Sequence, residues 1–325
     1  MQKVLKIDGF VGRNMPWVIL LAVSLGVAFP EFFSPLHQYL TVFLAILTFA
    51  NSLGGGFRDL AGAFKRPLPI IVAFVVMHLM IPTLVLCFGR LVFPDNPDFV
   101  NGLVLQFTLP VGVATLMWVG MSGGHMGLCL SMVLMDTLLA PFSIPLVLQL
   151  LLGTAVEMDM LGMMKNLMLM VGIPALLGMS IREIKKGAVA KKLKPALSLP
   201  GKMMVFLISA ASSSECAEFF RRFDRWMIIV LAVTVSLASA GFFIGHLTSK
   251  ALKMEFQSGF TLTLMVGFRN LSAGIVLAQR YFPAATLLPV SIVPVFQQLL
   301  MSVVIKVLWS TKDARKYLAQ QTQNE

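Results

Sequence analysis

Long apolar runs alternate along the chain with short polar or charged interruptions, and each run is about as long as a bilayer core is thick. The runs lie at 15–33, 37–55, 68–92, 99–121, 126–152, 160–181, 197–219, 226–248, 256–280 and 284–309. A helix needs about 20 apolar residues to cross the hydrocarbon region, so the pattern predicts an all-α polytopic membrane protein with ten transmembrane helices. The third and fifth runs exceed that length and are expected to tilt or break. Polar groups interrupt the seventh, at Ser212-Ser213-Ser214-Glu215, and the ninth, at Arg269-Asn270. The first run follows Lys3, Lys6 and Arg13 and ends at Pro30-Glu31 without a small-residue cleavage signature, which reads as a retained helix rather than a signal peptide.

Composition agrees. Hydrophobic residues make up 57% of the chain and charged residues 13%, whereas soluble domains are about 25% charged. A net charge of +11 would suit a nucleic-acid partner if the cations shared one surface, but their distribution reports topology instead. With ten spans and a cytoplasmic N-terminus, the inner segments hold Lys3, Lys6 and Arg13; Arg58, Lys65 and Arg66; Arg182 to Lys194; Lys250 and Lys253; and Lys312, Arg315 and Lys316. The outer loops hold fewer cations, partly offset by Asp95, Asp98, Glu157, Asp159, Glu218 and Asp224. Both termini then face the cytoplasm of a cell inner or plasma membrane, with membrane lipid and no nucleic acid as the surrounding partner. Cys87, Cys129 and Cys216 lack paired spacing, the four histidines form no ligand cluster, and no GxxxxGK[ST] phosphate loop occurs. These features argue against a metal site, a cofactor and an enzyme.

Ten spans divide five and five at the acidic loop Thr154–Asp159, giving a first repeat at 1–155 and a second at 156–325. An odd number of spans per half inverts the second relative to the first, an arrangement common among secondary transporters. Spans four and nine then correspond, and both are marked as breakable: span four by Pro110 and Gly112, span nine by Gly267 just before Arg269-Asn270. Irregular backbone at membrane depth survives only where it is buried in protein or lines a cavity. A charge at bilayer centre costs from ~2.5 to ~17 kcal/mol depending on how it is measured, so Arg269 must face protein, water or a ligand. The candidate site is accordingly Arg269, Asn270, Pro110, Gly112 and Gly267.

From Pro110 to Pro145 the chain ends in Ser131-Met-Val-Leu-Met-Asp136-Thr-Leu-Leu-Ala-Pro141-Phe-Ser-Ile-Pro145. This is similar to the S-x-T-x-x-x-T-L-L-A-P-x-x-x-P of the bile acid/sodium symporter family of ten-span carriers. Gly267-Phe-Arg-Asn270 through Gly274-Ile-Val-Leu-Ala278 resembles that family's G-M-Q-N-x-x-L-A-x-x-L-A, and weaker agreement runs from Gly56 to Pro67 and from Pro174 to Gly178. The resemblance implies a core domain from spans 3–5 and 8–10 with two broken crossing helices, beside a panel of spans 1, 2, 6 and 7. Substrate would sit between them, exposed alternately to either side.

The chain departs from that pattern at the sodium ligands. The family's Ser-Ser-Asn falls on Ala114-Thr115-Leu116, its glutamate on Met265 and the adjacent glutamine on Arg269. A glutamine of the third span falls on Met77, beside His78, and a serine and threonine of the fifth fall on Cys129 and Val133. Thr115, Asn270 and backbone carbonyls are the oxygens left, so conventional sodium coupling is doubtful. A guanidinium supplies a positive charge without an ion, and the one intramembrane carboxylate for it is Asp136. Three readings stand: an inert Arg269–Asp136 pair; Arg269 meeting an anionic substrate while Asp136 sets its position or carries a proton; and Arg269 held by backbone carbonyls at the helix break. His78 titrates near neutral pH if accessible, which makes it, with Asp136, the candidate for coupling or charge pairing.

The expected function is alternating-access transport of a small organic anion, a carboxylate or sulfonate, since a planar fork binds such groups bidentately. One alternative is a non-transporting receptor or scaffold on a decayed carrier. Another is an arsenite-type exporter, which would want a thiol between Thr108 and Thr115, where there is none. Cysteine-accessibility labelling tests the topology: positions 191 and 316 should label from one face and position 95 from the other. Labelling of 191 and 316 from opposite faces would overturn the ten-span arrangement.

Overall fold

The computed structural model of the chain describes residues 2–63, 67–153, 159–215, 217–222 and 225–324. Lys65, Arg66, Glu157, Cys216, Asp224 and the 154–158 connection at which the halves were divided lie outside the described residues. The fold is all-α. In chain order the helices are α1 (Gln2–Arg13), α2 (Met15–Ala28), α3 (Pro30–Ser52), α4 (Phe57–Ala63), α5 (Pro67–Val92), α6 (Pro97–Thr108), α7 (Ala114–Met121), α8 (Met126–Leu152), α9 (Met160–Glu183) and α10 (Ala188–Glu215). They continue with α11 (Ala217–Arg222), α12 (Arg225–Ala251), α13 (Phe256–Gly267), α14 (Leu271–Tyr281), α15 (Leu287–Trp309) and α16 (Lys312–Asn324). Among the described residues, six continuous helices (α3, α5, α8, α9, α10 and α12) are long and apolar enough to cross a membrane. Large apolar side chains remain open on their outer faces, such as Leu91 at 80% and Leu150 at 69% exposure. A surface this apolar suits lipid rather than water.

Two expected runs are interrupted at mid-length, and the first, 15–33, is divided at Phe29 between α2 and α3. The fourth stops at Thr108 and resumes at Ala114, and the ninth stops at Gly267 and resumes at Leu271. The seventh begins earlier than its apolar run. Within the polar connection that the sequence places at Arg182 to Lys194, residues 188–194 are instead the first turns of α10, with Pro195 and Pro200 inside the helix. Lys191 and Lys192 are exposed there, so water can satisfy the carbonyls that the prolines leave unbonded.

The helices sort into two packed groups. α2 and α3 both run against α10, and α9 packs on α3. In the other group α5 packs on α6, α12 on α13 and α15, and α6 and α14 on α15. The second group contains both broken helices, and the breaks cross. Val111 and Arg269 form an antiparallel bridge, the Gly112 N–H donates to the Phe268 carbonyl at 3.0 Å, and the Asn270 N–H donates to the Pro110 carbonyl at 2.8 Å. Each break thus supplies partners for the backbone groups that the other leaves orphaned.

Gly112 is required here for proximity, because only Gly123 and Gly187 among the described glycines have positive φ. A Cβ at 112 would lie 2.5 Å from the Phe268 ring and 2.7 Å from the Arg269 carbonyl. Gly112→Ala should therefore push the two segments apart and lower stability by ~1–3 kcal/mol, the usual range for overpacking. Thermal unfolding in detergent checks this, and an unchanged midpoint would mean that the crossing tolerates separation.

Candidate functional site

The site begins with a proline. Pro82 sits in the first turn after a five-residue π turn, Val76–Met80, within α5. Its ring clashes with the preceding turn and it has no N–H. The widened register satisfies Ile81, whose N–H goes to the Val76 carbonyl. The donor opposite the Met77 carbonyl would then be Pro82, so that carbonyl has no backbone partner. Arg269 fills the vacancy: its Nη2 donates to the Met77 carbonyl at 3.2 Å, and Nη1 makes a longer contact of 3.5 Å with the Leu109 carbonyl at the first break. Arg269 is 2% exposed, and its Nε is buried without a hydrogen-bond partner.

The same π turn presents His78. Its Nε2 lies 2.6 Å from Asp136 Oδ1, its Nδ1 lies 3.2 Å from the Thr108 carbonyl, and its ring packs at 4.4 Å on Phe74. Both partners of the pair are 1% exposed. Asp136, on α8, uses its other oxygen to accept the Val111 N–H at 2.7 Å. Its carboxylate is therefore committed to His78 and to the first break, and it forms no ion pair with Arg269. Arg269 is held by the Met77 and Leu109 carbonyls.

On the other side of the crossing is a cavity of about 500 Å³ between the two helix groups, within the ~300–1,000 Å³ usual for small-molecule sites. Gly112 to Ala114 and Phe268 to Asn270, with Ser272, form its floor; α3 contributes Thr48, Asn51 and Ser52, α8 contributes Thr137, and α10 contributes Lys194 and Lys202. Two helices begin at that floor, α7 at Ala114 and α14 at Leu271. Their N-terminal ends carry partial positive charge. Asn270 caps α14, accepting the Ala273 N–H at 3.3 Å. Thr115 is fully buried, and its hydroxyl has no hydrogen-bond partner. At the mouth, the Lys202 ammonium donates to the Asp8 carboxylate and carbonyl, both at 2.7 Å, which ties α1 to α10.

The structure thus brings the eight candidate residues to one place but on two sides of the crossing. Gly112, Arg269 and Asn270 are at the cavity floor; Thr115 is buried in the first turn of α7; His78, Asp136 and the Arg269 guanidinium are gathered behind the floor; Pro110 and Gly267 shape the breaks. The carbonyls of Met77 and Leu109 were not foreseeable from side chains, although Pro82 inside an apolar run was a signal. From sequence Lys194 reads as a topology marker and Asn51-Ser52 as the end of the second span, while Lys202 inside the seventh run carries no reading of its own, yet all four line the cavity. Ser212 to Ser214 do not: Ser213 and Ser214 bond back to their own helix, and Ser212 meets Ser291 of α15 at 2.8 Å. His125 is the N-cap of α8, its Nδ1 accepting the Leu128 N–H at 3.1 Å.

At the opposite end of the helix groups the gap is latched. Glu215 of α10 meets His37 at 2.8 Å and accepts from Gln279 of α14 at 2.9 Å. Arg280 donates to Thr41 at 3.3 Å, and Asn166 of α9 donates to the Tyr281 hydroxyl at 2.5 Å.

The model of the sodium bile acid symporter family matches residues 41–223. The Bacillus subtilis (strain 168) protein YbaS is 35% identical over 286 residues, covering 88% of this chain and 94% of its own length. YocS of the same organism, called an uncharacterized sodium-dependent transporter, is 26% identical over 328 residues, 100% of this chain and 99% of its own. A rice (Oryza sativa subsp. japonica) protein bearing the name "Probable sodium/metabolite cotransporter BASS1, chloroplastic" is 24% identical over 255 residues, 77% of this chain and 60% of its own. Matched over more than half its length by the family model, this multi-pass membrane protein belongs to the sodium bile acid symporter family, whose members are transporters and not enzymes.

Proposed function

We propose that the chain is a ten-span secondary carrier that moves a small organic anion, a carboxylate or sulfonate, across the cell inner membrane by alternating access. One convergence carries this reading: two half-helix N-termini and the buried Arg269 meet at the floor of a single cavity. Helix N-termini with free N–H groups favour anions, and the guanidinium adds a whole charge behind them. Thr48, Asn51 and Ser52 offer hydrogen bonds to the rest of a small polar substrate. The cavity opens past Lys202 and Lys194, and the Lys and Arg asymmetry assigns Lys194 to the cytoplasmic side. The latch of Glu215, Gln279, Arg280 and Thr41 then closes the outer side, as alternating access requires of an inward-open state. In this reading α2, α3, α9 and α10 are the panel, and the group with the crossing is the core.

Relatives carry sodium in their names, but the residues here fit that ion poorly. Sodium is a hard cation wanting oxygen ligands, and Met77, Met265, Cys129 and Val133 present buried carbon and sulfur instead. The Met77 and Leu109 carbonyls, which could serve a cation, are engaged by a guanidinium that never leaves. Arg269 acts as a tethered replacement for the ion.

Uptake of labelled organic acids into proteoliposomes should therefore persist when potassium replaces sodium at constant pH; abolished uptake would refute the tethered-cation argument. A charge ~8 Å from the anion, at an effective dielectric of about 20, contributes ~2 kcal/mol. Arg269→Gln should thus weaken anion binding by about 30-fold as measured by calorimetry. Arg269→Lys should restore only part of this, because an ammonium cannot bridge two carbonyls as the fork does. Unchanged binding by a folded Arg269→Gln protein would leave the residue a purely structural role.

A further inference from the structure

We propose that the buried His78–Asp136 pair is a proton-binding site, and that the proton is the ion coupled to movement of the anion. The coupling part rests on the carrier reading above; proton binding does not.

The hydrogen bonds determine how many protons the pair holds. The Thr108 carbonyl can only accept, so the 3.2 Å contact puts a hydrogen on His78 Nδ1. The 2.6 Å contact between Nε2 and Asp136 Oδ1 needs one more proton between them. Whether that proton sits on nitrogen or oxygen, the pair has the same total charge, zero. The structure therefore shows the loaded form. Removing the proton leaves one ring nitrogen bare, its lone pair facing either the Asp136 carboxylate oxygen at 2.6 Å or the Thr108 carbonyl oxygen at 3.2 Å, in a site closed to water. That arrangement repels itself and must separate.

Separation would act directly on the crossing. Both members of the pair also hold the first break: His78 through the Thr108 carbonyl, and Asp136 through the Val111 N–H. Residues 110–112 in turn pair with 268–270 and form the cavity floor. The π turn carrying His78 also presents the Met77 carbonyl to Arg269. Moving either partner thus shifts the backbone that shapes the anion site.

Charge sets the direction of coupling. Arg269 is the charged group that faces the pair, reaching the carbonyls on either side of it. Cys129 lies on the same face of α8 about two turns away. The remaining charged residues on the helices packed around it, Arg58, Asp59, Arg90, Asp98, Lys165, Arg182, Glu183 and Glu255, stand at helix ends. With the proton bound, the crossing carries the single positive charge of Arg269; without it, the Asp136 carboxylate cancels that charge. Proton and anion therefore favour each other's binding, and by linkage the effect is reciprocal. The step is a transfer of one proton from water on the open side to the pair and, after the crossing has moved, from the pair to water on the other side. Nothing is oxidised or reduced.

The test compares the wild type with the double variant His78→Gln, Asp136→Asn, which keeps a donor facing an acceptor but has no titratable atom there. Spin labels carried by non-natural amino acids at Gln38 and Pro283, beside the outer latch, report the separation of the two helix groups without disturbing native thiols. Raising the pH from about 5 to about 8 should shift the wild-type distances away from the latched state, and should leave those of the double variant unmoved. Anion affinity of the wild type should be ~5- to 150-fold higher at the acid end, and an inward proton gradient should drive uptake without sodium. Wild-type distances indifferent to pH, or a double variant that still switches, would overturn the proton site. Switching that survives in the wild type while no organic acid is bound or moved would instead remove the anion reading and leave the proton site in place. Uptake that ignores both pH and the double substitution would remove the coupling alone.

Discussion

A helix that stops inside an apolar protein strands the N–H and C=O groups of its last turns, and no water is at hand to take them up. Much of the structure follows from how this chain meets that constraint twice at one point. The two breaks cross, and the crossing is closed by an antiparallel bridge made of two backbone hydrogen bonds. What the bridge does not satisfy is taken by side chains: Asp136 and His78 of neighbouring helices meet the Val111 N–H and the Thr108 carbonyl, and Arg269 of the second break reaches the Leu109 carbonyl. The polar residues that look costly in an apolar sequence are what make an irregular backbone tolerable at that depth.

The same arrangement separates two electrostatic tasks. In front of the crossing, helix N-termini and small polar side chains face a cavity. Behind it, an arginine and a histidine–aspartate pair sit in a dry interior with little conformational freedom. A field from behind a thin backbone layer draws an anion without putting a long flexible side chain into its path. It also makes the anion site sensitive to any change of charge in the dry layer, because low dielectric strengthens that influence.

The π turn in α5 ties these features to a single residue. Pro82 breaks the helical register, the break frees the Met77 carbonyl, and the freed carbonyl anchors the guanidinium. Proline in a membrane helix is commonly read as a kink; here its consequence is a backbone acceptor aimed at a cation in the second break.

From sequence alone, the class of molecule and the location of the breaks were legible. Apolar run length specifies membrane helices because lipid admits little else, and Pro110, Gly112 and Gly267 with Arg269-Asn270 mark breaks because helices tolerate such residues poorly. Six continuous apolar helices and two interrupted ones follow that pattern. The extent of α10 was not legible, since a basic, proline-containing stretch reads as a loop unless one sees that it projects into water. Nor were the pairings. Arg269 and Asp136 are the obvious opposite charges in the list of intramembrane residues, yet distance and direction decide partnership, and those depend on how far a widened turn rotates His78 toward α8. Backbone carbonyls carry no sequence signature, so the acceptors of Met77 and Leu109 and the cavity walls from Thr48 to Lys202 emerged only when the helices were packed. Sequence determined which groups had to be buried together, because each was too costly to leave in lipid; tertiary structure decided which of them touch.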